Sequence, residues 1–171
     1  IALVSPVAND LLFAMFAGFV RDMGEAQAYA FFKQLAAQKP LVFGPGGMRV
    51  SQGVGTGEFP IGIGFVGHTY SVGREPGYSM AFASTDPVYA VGGPGFALFK
   101  NAPNPNAGKL VIDYMLSNEA QEEITTMGYR SNARGVKGIA DLTAAKVVVA
   151  PVPGGAEAEK LRATLKQLFG G

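Results

Sequence analysis

The sequence has no cysteine, few charged residues and no long hydrophobic run. The absence of cysteine excludes a disulfide framework, a thiolate zinc site and cysteine catalysis. Charged residues make up 16% of the chain and sum to a net charge of +1, which does not favour nucleic acid or an acidic membrane as a partner. The most apolar run, residues 11–20, lies between Asp10 and Arg21 and is shorter than a membrane span, so it predicts a buried helix.

Apolar residues make up 48% of the 171 residues, which is enough for a real core in one domain or two small lobes. The chain begins with the apolar stretch IALVSPV, with no Met and no signal peptide. A strand that opens the chain without a preceding turn indicates a piece of a longer protein.

Hydrophobic periodicity and breaker residues predict alternating strands and helices. The predicted strands are 1–5, 41–43, 59–66 and 88–100, the last broken by Gly-Gly-Pro-Gly at 92–95, which we expect to serve as a hinge or strand crossing. The predicted helices are 7–22, 25–37, one beginning at Pro105, 119–127 and 155–169, with a short helix or turn at 48–56. This alternation predicts an α/β fold with a mixed sheet flanked by helices.

Helix ends carry recognisable signals. Asn104 is a good N-cap and Pro105 suits the first helical position. Asn118 and Gln121 have the spacing of a capping box for the next helix. The helix that begins at Pro105 has apolar residues at i, i+3, i+4 and i+7, namely Ala107, Leu110, Val111 and Tyr114.

Two glycines precede the single histidine of the chain. Gly62 and Gly64 point to one face of the predicted strand, so a helix or a ligand can approach the backbone closely there. His68 follows at the strand end, which in open α/β sheets faces the cleft. We expect His68, Gly67 and Thr69 to line a ligand site; the alternative is a surface histidine with no role.

Helix N-termini and glycine loops bind anions through unpaired backbone N–H groups. The stretch GPGGMR fits this chemistry, with Gly46 and Gly47 supplying N–H groups and Arg49 a charged fork. The stretch SPVAND, which opens the first helix, also fits. The alternative in both places is an ordinary strand-to-helix turn. Glu58 is expected to form a salt bridge or a cap rather than to contact ligand.

Catalytic motifs are missing from the sequence. Its serines lack the G-x-S-x-G context, and its glycine clusters match neither a dinucleotide fingerprint nor a phosphate-loop motif. His68 alone is a poor metal site, because no second histidine or cysteine accompanies it. We therefore expect no enzymatic activity and no cofactor.

Three stretches carry a family resemblance: GTGEFPIGIGFV at 55–66, the helix pair at 16–38, and the run VYAVGGPGFALFKNAPNPNAGKLVIDYMLSNEAQEEITTMGYRSNAR at 88–134. They resemble the bacterial periplasmic solute-binding proteins of ABC importers, type II. The nearest subset handles ferric iron, phosphonates, thiamine and sugar phosphates. The third stretch is the most specific, because its Asn-Pro, Ser, Glu, Gln and Gly-Tyr positions share the family's spacing.

The resemblance implies two α/β lobes that close on a ligand, a periplasmic location and a membrane permease as partner. It assigns 1–90 to the core of the second lobe, 91–134 to a crossing strand and helix pair that return to the first lobe, and 135–171 to a C-terminal segment. The chain would then hold half of a cleft for a small anionic or polar ligand, such as ferric ion, a phosphonate or a sugar phosphate.

This sequence departs from the family pattern at the expected ligand positions. Where the family has a hydroxyl-rich opening of the first helix, the polar candidates here are Ser5, Asn9 and Asp10. Gly67-His68 stands where the sugar-phosphate subset has His-Asp. The ferric subset uses neighbouring tyrosines, and Tyr89 lies in the corresponding region without an adjacent partner. Ligand identity therefore does not transfer.

Two other functions fit the sequence less closely. One is an enzyme with a related bilobal fold, such as a transferase or a deaminase. The other is an interaction domain that forms a homodimer through the surface exposed by the missing lobe.

Overall fold

The computed structural model describes residues 1–84, 86–91, 95–129, 131, 133–137, 145–151 and 154–170. Helices and strands alternate along these ranges. Their order is β1 (Ala2–Val4), α1 (Asp10–Met23), α2 (Glu25–Ala37), β2 (Leu41–Phe43), α3 (Met48–Gly55), β3 (Gly62–Ile63), α4 (Val66–Gly73), β4 (Val88–Ala90), α5 (Pro105–Met115), α6 (Asn118–Thr126), β5 (Val147–Val149) and α7 (Gly155–Phe169).

The first sheet has three parallel strands in the order β2-β1-β3. Leu3 in the middle of β1 lies opposite Val42 on one side and Ile63 on the other. All three residues of β1 are fully buried, which explains why this strand is a continuous apolar run. The α/β fold class predicted from the sequence is confirmed.

The second sheet pairs β4 with β5 in parallel, with Tyr89 opposite Val148. The pair lies against the C-terminal part of α1, where Arg21 donates a hydrogen bond to the carbonyl of Val149 at 2.8 Å. The second sheet is thereby attached to the helix that also covers the first sheet.

The core lies between the first sheet and the helices α1, α2 and α7. The ring of Phe16 on α1 is centred 4.8 Å from that of Phe32 on α2 and 5.8 Å from that of Phe169 on α7. Leu165 of α7 is fully buried in the same cluster. The prediction of a buried helix over residues 11–20 is confirmed, and none of the helices in the described ranges has the length and apolar character of a membrane span.

The strand predicted at 59–66 is much shorter in the structure. Only Gly62–Ile63 pairs with β1, and the chain enters α4 at Val66. The expected close approach at Gly62 is present, because a Cβ there would lie 2.8 Å from Val50 and Val54 of α3. Gly62 therefore lets α3 pack directly on the strand.

The capping-box prediction is wrong. Ser117 caps α6 by accepting a hydrogen bond from the N–H of Ala120 at 3.3 Å, and α6 begins at Asn118. Gln121 is buried and donates to the carbonyl of Met115 at 2.8 Å. A neighbouring hydroxyl thus occupies the position that we assigned to the amide of Asn118.

The strand predicted at 88–100 is also shorter. It ends at Ala90, and residues 95–99 form no strand. Residues 92–94 of the expected hinge lie outside the described residues.

The apolar face of α5 has an unexpected environment. No residue of α5 is buried, and the exposed fractions of Leu110 and Val111 are 70% and 59%. The helix forms where the sequence predicts it, but its apolar face points into solvent.

Candidate functional site

The loops that follow β1, β2 and β3 meet at the carboxyl edge of the first sheet. The side-chain amide of Asn9 donates to the carbonyl of Pro45 at 2.7 Å, which joins the first loop to the second. A Cβ on Gly47 would lie 2.5 Å from Nδ1 of His68, so the second loop touches the start of α4. The structure therefore brings seven of the predicted site residues to one edge: Ser5, Asn9, Gly46, Gly47, Gly67, His68 and Thr69.

The first loop uses its own side chains to satisfy the start of α1. Ser5 Oγ accepts hydrogen bonds from the N–H groups of Val7 and Ala8 at 3.3 and 3.1 Å. Asn9 is the N-cap of α1, and its Oδ1 accepts two more from the first turn at 3.0 and 2.9 Å. Four backbone donors that an anion would need are thus already bonded.

The second and third loops leave their helix starts open. Gly47 is the N-cap of α3 and Phe65 the N-cap of α4, and neither forms a side-chain capping bond. A Cβ on Gly47 would lie 2.6 Å from the ring of Phe65, so the two helix starts are in contact. The first-turn N–H groups of α3 and α4, which have no partner within their own helix, and the positive ends of both helix dipoles therefore lie near each other.

His68 lies in the first turn of α4, in a helix and not in a loop after the strand. Its ring stands edge-on to Phe65, with centroids 5.3 Å apart and planes at 87°. Nδ1 is buried and has no hydrogen-bond partner in the described part of the chain. Burial lowers the pKa of the imidazole below its usual value, which favours the neutral form.

Arg49 is held away from the converging helix starts. Its guanidinium lies over the rings of Phe43 and Phe59, at 5.4 and 5.2 Å from the ring centroids. The same group binds both carboxylate oxygens of Glu58 at 2.6 Å, which confirms the expected salt bridge of Glu58. Ligand binding by Arg49 stays a prediction, and it requires this exposed ion pair to open.

Tyr89 lies on β4, and its hydroxyl donates to Oδ2 of Asp22 at 2.9 Å. Arg21 binds the same carboxylate, and its hydrogen bond lowers the pKa of Asp22 to about 2. Burial and the hydrogen bond to Asp22 raise the pKa of Tyr89 to about 12. Asp22 is about 18 Å along α1 from Asp10 at its start, so the phenol oxygen lies far from the first loop.

A cleft runs beside β3, at the end of the strand where the sequence predicts a ligand site. It has a volume of about 420 Å³ and lies between α3, the strand and the segment 80–83. Thr69 and Tyr89 line it, as does Ser51 of α3, which is only 5% exposed. Ser51 gave no sequence signal, because a serine inside a short helix has no motif that marks it as a wall of a cleft.

The described residues contain no group of three or more histidine, aspartate or glutamate side chains placed to hold a metal ion. The polar groups described at the carboxyl edge are backbone N–H groups, the amide of Asn9, the imidazole of His68 and hydroxyls. This chemistry suits hydrogen bonding to a small solute.

Comparison with known proteins identifies the family. A family model described as bacterial extracellular solute-binding protein matches residues 7–122. An uncharacterized protein of Haemophilus influenzae (strain ATCC 51907 / DSM 11121 / KW20 / Rd) is 28% identical over 124 residues, which are 71% of this chain and 35% of that protein. The chain therefore spans about a third of the length of this relative, and no solved structure matches it. Because the family model covers more than half of the residues, the chain belongs to the bacterial extracellular solute-binding proteins.

Proposed function

We propose that the chain is one lobe of a periplasmic solute receptor of an ABC importer, and that it binds a small anionic or polar ligand at the carboxyl edge of its first sheet. Family membership supports the receptor role. The uncapped starts of α3 and α4, in contact through Gly47 and Phe65, support the ligand class.

The converging helix starts favour an anion over a bare cation. Backbone N–H groups that point at one place stabilise negative charge without a cost for desolvating a charged side chain. A phosphonate or a sugar phosphate fits this arrangement, and iron fits it only as an anionic complex such as ferric citrate. Neutral His68 adds a hydrogen-bonding group beside them.

In the proposed mechanism, two lobes close on the ligand and no chemical reaction takes place. The ligand bridges this lobe and another one, closure populates a shape that the membrane permease recognises, and no covalent bond changes. The chain alone then supplies half of the contacts and binds weakly.

We also propose that residues 91–134 return to the other lobe. The exposed apolar face of α5 supports this, because Leu110, Val111 and Tyr114 are each more than half exposed. The competing occupant is a second copy of the chain. Sedimentation velocity at increasing concentration distinguishes them, since only a homodimer raises the mass of the isolated chain.

The test is an amide NMR titration of the isolated chain with inorganic phosphate, methylphosphonate and glucose 6-phosphate. We expect weak binding, with the largest shifts at the N–H groups of residues 48–50 and 66–68. His68→Ala should weaken binding, whereas Asn104→Ala, at the start of α5, should not. Tight binding by this chain contradicts the half-cleft mechanism, and an unchanged dissociation constant for His68→Ala places the imidazole outside the site.

A further inference from the structure

The cleft beside β3 has an apolar wall that the anion site does not use. Its sides come from Val50 and Ser51 of α3, from Ile63 and Phe65 at the strand, and from Met80 in the segment that faces them. No charged side chain of the described residues lines it. A volume of about 420 Å³ falls within the range of small-molecule pockets, about 300 to 1,000 Å³.

Ser51 places one hydroxyl in this wall. The residue is 95% buried, and no hydrogen bond to its Oγ occurs within the described ranges. In those ranges, Nδ1 of His68 is the one polar side-chain atom that is both fully enclosed and without a partner. Ser51 Oγ has no partner either, so it is not fully enclosed and stays open to the cleft that Ser51 lines. A ligand that displaces water from this hydroxyl must supply the hydrogen bond itself, or the group is left unsatisfied at a cost.

The other hydroxyls of the cleft already have partners. Thr69 Oγ1 donates to the carbonyl of Phe65 at 3.2 Å, and the phenol of Tyr89 donates to Asp22. Ser51 is therefore the hydroxyl that remains for a ligand among the described lining residues.

We propose that the cleft binds an uncharged ligand group that consists of an apolar ring or short alkyl body and a single hydroxyl or carbonyl, which hydrogen-bonds Ser51 Oγ. The apolar lining excludes a charged group, since burying an unpaired charge there carries a large desolvation cost. The body of the ligand packs between Ile63 and Met80, and its polar atom points to α3.

This site adjoins the proposed anion site at the start of α4 and differs from it in chemistry. The two share Phe65, Val66 and Thr69 at the start of α4. The anion site uses the N–H groups of the helix start, whereas the rest of the cleft presents apolar carbon. A test that uses uncharged probes therefore leaves the anion-binding proposal untouched.

The experiment labels the methionine methyl groups with ¹³C and titrates the full chain with cyclohexanol and with methylcyclohexane. Met15 and Met80 line the cleft, whereas the exposed Met23 and Met127 lie outside it. We expect both probes to shift two of the six methyl signals, those of Met15 and Met80. Equal shifts at all six, or none, overturn the proposal.

The polar contact is tested with Ser51→Ala, which removes the hydroxyl and keeps the helix. We expect cyclohexanol to bind about fivefold more weakly and methylcyclohexane to bind unchanged. The control Ser84→Ala, just beyond the lining segment, should change neither. An equal change for both probes, or no change for cyclohexanol, refutes a role for Ser51.

A filling variant tests the cleft itself without relying on Ser51. Ala83→Phe places a ring at the end of the lining segment, where Ala83 is exposed. We expect the Met15 and Met80 shifts from both probes to disappear while the thermal unfolding temperature stays within a few degrees. Unchanged probe shifts in this folded variant show that the probes bind elsewhere.

Discussion

Side chains at the carboxyl edge differ in whether they already have a hydrogen-bond or ion-pair partner within the chain. Ser5 and Asn9 accept hydrogen bonds from backbone N–H groups at the start of α1, and Arg49 is paired with Glu58. Nδ1 of His68 is buried without a described partner. The sequence predicts residue types that suit a ligand, but it does not show which of them the fold occupies, because each pairing depends on tertiary contacts.

His68 leads to a prediction about pH. Its pKa in the folded chain should lie below the usual 6.5, because burial penalises the imidazolium. The unfolded chain then binds the proton more readily, so the free energy of unfolding should fall as pH drops below about 6.5. Imidazole NMR titration measures the pKa, and urea unfolding at pH 7.5 and 5.5 measures the stability.

The control for this prediction is His68→Asn, which should lose the stability difference between the two pH values. Asp22 does not interfere, since its pKa of about 2 places its titration below the range tested. A folded-state pKa at or above 6.5 would contradict the burial argument.

At the scale of helices and strands, the sequence predicts the bounds of an element correctly where neighbouring residues determine them. The bounds 25–37, 41–43 and 155–169 predicted from the sequence match α2, β2 and α7. The predicted strand at 59–66 fails, because its partner β1 is only three residues long and α4 begins at Val66. Strand length is set by the partner strand, which an isolated stretch of sequence does not reveal.

Two asparagines at helix starts give a matched pair of variants. Asn9 forms two side-chain capping bonds and one bond to Pro45, whereas Asn104 forms no capping bond. We expect Asn9→Ala to lower the free energy of unfolding by about 1 kcal/mol or more, and Asn104→Ala to change it by only a few tenths. Urea unfolding followed by circular dichroism measures both. Equal losses would show that the capping geometry does not decide stability.

At the scale of the whole molecule, α7 belongs to the core formed by the start of the chain. Arg162 donates to the carbonyl of Val7 at 2.9 Å and lies 4.0 Å from the ring centroid of Phe13. Lys160 forms an ion pair with Glu25 of α2. The sequence predicts α7 and its apolar stripe, but it does not indicate which surface that stripe covers.

A second matched pair of variants compares the buried face of α7 with the exposed face of α5. Leu165 of α7 is fully buried, and Leu110 of α5 is 70% exposed. We expect Leu165→Ala to lower the free energy of unfolding by about 2–5 kcal/mol, through lost burial and the cavity left behind. Leu110→Ala should change it by less than about 0.5 kcal/mol. A large loss at Leu110 in the isolated chain would mean that the α5 face is already covered.

The bond between Arg162 and Val7 joins residues 155 positions apart, which bears on the biosynthesis of the protein. At about 5–20 residues per second, a ribosome needs roughly 8 to 30 s to add that many residues. During this interval the nascent chain carries Phe16 and Phe32 without the helix that encloses them. Aromatic side chains of the core therefore lack their covering helix until α7 has been translated.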